Sequence, residues 1–135
     1  MDVPASLRRW FVIHFAVDLA FAVPLILVPA YTMHLLGWTT VEPVATRLVG
    51  AALAAIGLQS LLGRHHSVEA FRTMLGLKCL WSGVAIVGLA LSLAEGAPPF
   101  AWALLGIFIA FAMVWNYYRL RLRPRHPAAA RQRVW

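Results

Sequence analysis

Hydrophobic residues in this chain gather into four long runs, each interrupted by very few polar positions. The runs cover about residues 10–28, 44–62, 71–93 and 100–118. Each reaches the roughly 20 residues needed to carry a helix across about 30 Å of hydrocarbon. Backbone polar groups have no partners in lipid, so each run is expected to be a helix. The pattern predicts an all-α, four-transmembrane-helix bundle over residues 1–123, followed by a basic tail over 124–135. That leaves no room for a second domain.

The polar interruptions are therefore the informative positions. Asp18 lies in the middle of the first run, with His14 one helical turn before it. A carboxylate at that depth is costly in lipid and must face the bundle interior or a polar cavity. Lys78 lies in the third run, seven residues past Phe71, on a helix running the same way as the first. At 1.5 Å per residue, Asp18 and Lys78 lie roughly 12 and 10 Å from the same boundary, so they are expected to pair. Arg47 enters from the opposite side and is expected to snorkel outward, toward Glu42. Gln59 and Ser60 end the second run, Trp81 and Ser82 follow Lys78 on its face, and Asn116 ends the fourth.

Read together, Asp18, Lys78, His14, Gln59, Trp81, Ser82 and Asn116 are expected to form a polar pocket that opens toward the cytoplasm. Its contents would be an ion, a proton or an amphipathic small molecule. The competing expectation is a structural ion pair that holds the helices in register. Metal binding by His14 and Asp18 lacks an evident third ligand, and no cofactor is expected. His65, His66 and Glu69 have ligand chemistry at helical spacing but sit in a basic loop, where solvent exposure is the simpler expectation. No nucleophile triad, phosphate-binding glycine loop or cysteine pair is present, so no residue is expected to be catalytic.

Small residues add a packing signal. Gly50, Ala54 and Gly57 share one face of the second run, and Gly76, Gly83 and Gly88 recur along the third. Such faces let helices approach closely where lipid supplies no hydrophobic drive. A neighbouring helix of the same chain would fit that face. So would a homo-oligomer or a larger complex in which the protein is a non-catalytic accessory or scaffold subunit. Pro24 is expected to kink the first helix. Residues 30–38 are apolar but too short to cross, and are expected to form an interfacial helical turn with Tyr31 and Trp38 at headgroup level.

Composition supports the class: 61% of residues are apolar and 13% charged, with a mean hydropathy of +0.74. Soluble domains carry about a quarter charged residues. The net charge of +7 does not point to nucleic acid, because ten of the twelve Lys and Arg flank the apolar runs. Both termini and the Gly63–Ala70 connection are basic, while the other two connections each hold one acid, Glu42 or Glu95. By the positive-inside rule the N and C termini are expected to be cytoplasmic, and the protein is expected in the inner (plasma) membrane. The Arg8-Arg9 pair resembles a signal-sequence start, but Asp18, Pro24 and Pro29 mark the first run as a retained span. Cys79 is the only cysteine and reads as a small buried hydrophobe.

An acid in the first of four short spans resembles the small multidrug-resistance transporters, in which a membrane-embedded carboxylate exchanges protons for cationic drugs. Here the acid is an aspartate, and the third span adds a lysine. Fluoride channels share the length and span number, but their polar motifs have no counterpart. The run ATRLVGAALAAIGLQSLLGR followed by LKCLWS resembles small bacterial four-span proteins, DoxX-like in size. That resemblance implies a four-span membrane fold and brings no catalytic residues.

Overall fold

A computed structural model describes residues 2–123, and the basic tail expected over 124–135 lies outside them. Among the described residues the protein is all-helical: α1 (Ala5–Leu27), α2 (Pro29–Leu35), α3 (Pro43–Leu62), α4 (Val68–Ala94) and α5 (Phe100–Arg121). A single 3-10 turn, Gly63–His65, follows α3. The helices α1, α3, α4 and α5 are each long and apolar enough to cross a membrane. This is a multi-pass membrane protein.

Local chemistry explains where the helices begin and end. The Glu42 carboxylate accepts from the Ala45 amide at 2.6 Å and Pro43 starts α3, while the Ser67 hydroxyl caps α4. Both acceptors satisfy amides that a helix start leaves bare. Gly37 follows α2 at φ +101° and Gly96 follows α4 at φ +89°. Each takes the left-handed stop that residues with a Cβ avoid. Helix α1 continues through Pro24 and breaks only at Val28. There the Thr32 hydroxyl lies 3.1 Å from the Pro24 carbonyl and 2.9 Å from that of Val28. Arg47 does not reach Glu42. Its Nε donates to the Ile26 carbonyl at 3.1 Å, serving the frayed end of α1.

Two helix pairs make the bundle, α1 packed along α3 and α4 along α5. The small face of α3 is what brings the first pair together. A Cβ on Gly50 would fall 2.8 Å from Ile26 Cγ1 and 3.1 Å from the Ala22 carbonyl, and one on Gly57 would fall 2.8 Å from Asp18 Cβ. The expected close-packing face is real, and its partner is α1 of the same chain. On α4 the outcome is reversed, since no atom lies within 4 Å of a Cβ placed on Gly76, Gly83 or Gly88.

The pairs meet at the end that carries the termini. Leu7 and Phe11 of α1, Phe71, Met74 and Leu75 of α4, and Trp115 and Tyr118 of α5 form one buried cluster with Leu122. Phe11 lies 4.8 Å from Phe71 and 5.7 Å from Trp115 by ring centroids. Two arginines lock the rim: Arg8 donates to the Arg64 carbonyl and Arg72 to that of Leu122. At the opposite end the pairs separate around a cavity, and the α2–α3 turn meets the α4–α5 turn where Gly37 approaches Pro98. Large side chains such as Leu48, Leu80, Val84 and Met113 stay exposed on the outer faces, as lipid contact requires.

Candidate functional site

Asp18, His14, Ser60, Lys78 and Ser82 are all buried, at the level where the aromatic cluster gives way to the cavity. Asp18 sits against α3 because Gly57 has no side chain to occupy that space. Its Oδ2 lies 2.8 Å from Nδ1 of His14, one turn earlier on the same face. The same nitrogen lies 3.2 Å from the Lys78 ammonium. That ammonium also donates to Ser60 Oγ at 2.7 Å, and the Ser60 hydroxyl donates in turn to the Ile56 carbonyl at 2.8 Å.

The expected direct Asp18–Lys78 pair is thus replaced by a bridge through His14. Among the described residues the single contact within 4 Å between a carboxylate and a basic side chain is the one between Asp18 and His14. Equal Cα depth was a sound starting point, but a lysine stem leans toward the N-terminus of its own helix. In α4 that direction runs toward the terminal end, so the ammonium arrives level with His14 and Ser60 instead of Asp18. Its remaining neighbours are aromatic faces: Nζ is 5.0 Å from the ring centroid of Phe11 and 5.0 Å from that of Trp115. Such faces stabilise a desolvated cation by about 2 kcal/mol. The imidazole is itself held edgewise against Phe111 and Trp115, at 4.7 and 5.1 Å.

Lys78 is therefore well provided for, and Asp18 is not. Oδ2 of Asp18 is buried without an aligned hydrogen-bond donor, its 2.8 Å neighbour being out of line. Buried acceptors left this way cost free energy until something fills the gap. The carboxylate faces a cavity of about 500 Å³. Val17, Phe21, Leu53, Trp81, Phe108 and Phe111 are among its walls, with His14, Asp18 and Ser82 at its floor. The cavity continues past Leu25 and Leu89 to Leu36, Trp38, Thr46 and Ser92, which places its far end under α2.

This direction differs from the expected one. A pocket opening toward the termini is blocked by the packed layer of Phe11, Phe71 and Trp115, and the open volume lies on the other side of Asp18. The polar residues mark the floor of the cavity. Its shape follows from the size of the side chains on either side, large toward the termini and small (Ala45, Ala85, Gly88) toward α2.

Of the residues expected to share the site, Asp18, His14, Trp81 and Ser82 line the cavity and Lys78 joins them through His14. Gln59 and Asn116 do not. Gln59 is exposed, with its amide 4.0 Å from the Met74 sulfur. Asn116 is exposed and donates back to the Ala112 carbonyl at 2.8 Å. Each has an immediate neighbour in its place, Ser60 for Gln59 and Trp115 for Asn116. Trp115 is completely buried. Trp38 contributes to the cavity wall, and Tyr31 is exposed. Among the described residues no cluster of three metal-ligating side chains occurs. No family model, curated protein or solved structure matches this chain.

Proposed function

We propose that this protein binds an amphipathic small molecule within the membrane, seating the ligand's polar head at Asp18 and its apolar body in the cavity above. The observation that carries this reading is an acidic residue, Asp18, among the lining residues of an otherwise mainly apolar chamber of about 500 Å³. Ligand pockets of about 300–1,000 Å³ with mainly apolar walls and a few placed polar groups hold drug-sized molecules. A small hydrated ion gains nothing from such walls, so an amphiphile is favoured over a bare ion. Trp81 and Phe108, 6.5 Å apart, supply aromatic wall near the head group. His14 and Lys78 set the charge around Asp18, and no residue has a catalytic role.

With both termini in the cytoplasm, as the arginine distribution argues, the cavity faces the outer leaflet of the plasma membrane. The rival reading, an accessory subunit docking through Gly50, Ala54 and Gly57, draws less support because α1 already packs against that face.

Purification in mild detergent, followed by mass spectrometry of extracted small molecules, tests the proposal. The wild-type protein should carry a lipophilic molecule that Ala85→Trp, which fills the cavity, and Asp18→Asn both lose while remaining folded. Retention of the same molecule by both variants would overturn it.

A further inference from the structure

We infer that the end of the bundle carrying the termini binds an anionic phospholipid. Its phosphate sits among the guanidiniums of Arg8, Arg64 and Arg72, and an acyl chain lies along the seam between α3 and α4. This site is separate from the cavity, on the far side of the packed layer of Phe11, Phe71 and Trp115. Every described arginine except Arg47 belongs to that end. Of the chain's five acids only Asp2 and Glu69 join them, and both are exposed. Neither lies within 4 Å of a basic side chain, since the one such contact among the described residues is Asp18–His14. Residues 124–135 add further arginines and no acidic side chain. The chain therefore cannot neutralise this end by itself, and the excess charge attracts anions.

Three of the arginines differ from the rest. Arg8, Arg64 and Arg72 are half-buried, whereas Arg9, Arg119, Arg121 and Arg123 are exposed. Each of the three stands at a helix end: Arg8 in the first turn of α1, Arg64 in the 3-10 turn and Arg72 near the start of α4. Arg8 donates to the Arg64 carbonyl and lies 5.4 Å from the Phe71 ring centroid, while Arg72 Nε donates to the Leu122 carbonyl at 2.6 Å. Those bonds hold the two guanidiniums in place without supplying negative charge, and each leaves further N–H donors on the fork. A partly desolvated guanidinium gains most from an anion that takes two of its donors together, and phosphate has that geometry. Basic pockets between helix ends hold anionic lipid headgroups in this way. A lipid is favoured over a free phosphate because the surface just inside the arginines is apolar. Leu58, Leu62 and Leu77 are exposed there on α3 and α4, beside a shallow crevice lined by Ile56 and Met74. An acyl chain covers that seam while its headgroup stays at the rim.

The experiment titrates the full chain, in dodecyl maltoside micelles, with dioleoylphosphatidylglycerol, dioleoylphosphatidylcholine or inorganic phosphate. Native mass spectrometry reads the bound lipid and thermal unfolding reads the midpoint. Phosphatidylglycerol should bind at least about tenfold more tightly than phosphatidylcholine. It should also raise the midpoint, which inorganic phosphate should leave unchanged. Arg64→Gln keeps the backbone carbonyl that Arg8 uses, so the rim stays intact. It should weaken phosphatidylglycerol binding about fivefold, one basic residue's share, and leave phosphatidylcholine unaffected. Arg131→Gln removes the same charge from residues 124–135 and should change neither. Equal binding of the two lipids, or equal losses in the two variants, would reduce the patch to diffuse attraction and overturn the inference. A midpoint raised as far by inorganic phosphate as by the lipid would overturn it in favour of a free-anion site.

Discussion

The two ends of this bundle are built on opposite principles. Toward the termini, large side chains from α1, α4 and α5 fill the space between the helix pairs. Toward α2, small residues of α3 and α4 leave that space open. A soluble protein would close such a gap, because its apolar walls would otherwise face water. In a bilayer helices associate through packing and polar contacts, not hydrophobic expulsion, so a void persists wherever side chains do not reach. The packed end holds the fold, and the hollow end is where the proposed ligand would sit.

Substitutions sharpen this contrast. The largest effect belongs to the packed end: Trp115→Ala should cost about 3–5 kcal/mol, as for buried aromatics generally. Phe21→Ala, on the cavity wall, should cost clearly less, since that ring already lacks partners on one side. Thermal unfolding in detergent compares the two, and equal losses would remove the distinction between the ends. Next comes Lys78→Met, which takes the cation from Ser60 and His14 and should cost about 3–5 kcal/mol, the penalty for breaking a buried charge network. Asp18→Asn should lower stability by no more than about 1 kcal/mol, because its buried Oδ2 already lacks an aligned donor. Chemical denaturation of both variants tests that order.

Smaller effects concern α3 and α4. Gly57→Ala should destabilise by about 1–3 kcal/mol through overpacking against Asp18. Gly83→Ala meets open space and should leave the midpoint unchanged or slightly raised. Smallest of all, Gln59→Ala and Asn116→Ala should stay within about 0.5 kcal/mol of wild type, as exposed positions do. A tenfold loss of ligand affinity in either would return those residues to the site.

That last pair shows how far the sequence could be read. The four spans, their approximate limits and the level of the polar layer all follow from hydropathy and helix rise, because lipid permits few alternatives. Asp18, His14, Lys78 and Ser82 were legible as rare polar groups at one depth. Rotation about each helix axis was not. A lipid-embedded helix is apolar on every side, so Gln59 and Ser60, or Trp115 and Asn116, compete with only a 100° turn between them. Polarity alone favoured the amides, whereas the structure places a hydroxyl and an indole inside. The bridge through His14 was hidden for a different reason, since it depends on the direction of a flexible lysine stem. The cavity was hidden too, as a void is written in the sizes of many residues and not in any one of them.

Gly37 carries a last implication. Its backbone takes a left-handed turn against the ring of Pro98, with room for no more than a hydrogen where other residues carry a methyl. A Cβ there would stand 3.0 Å from Pro98 Cβ, a little inside the roughly 3.5–4.5 Å that a disulfide spans. The pair Gly37→Cys and Pro98→Cys would therefore rivet the two turns together over the far tip. Whether the proposed ligand passes by that tip or slips sideways from the bilayer then becomes a matter of adding or removing reductant.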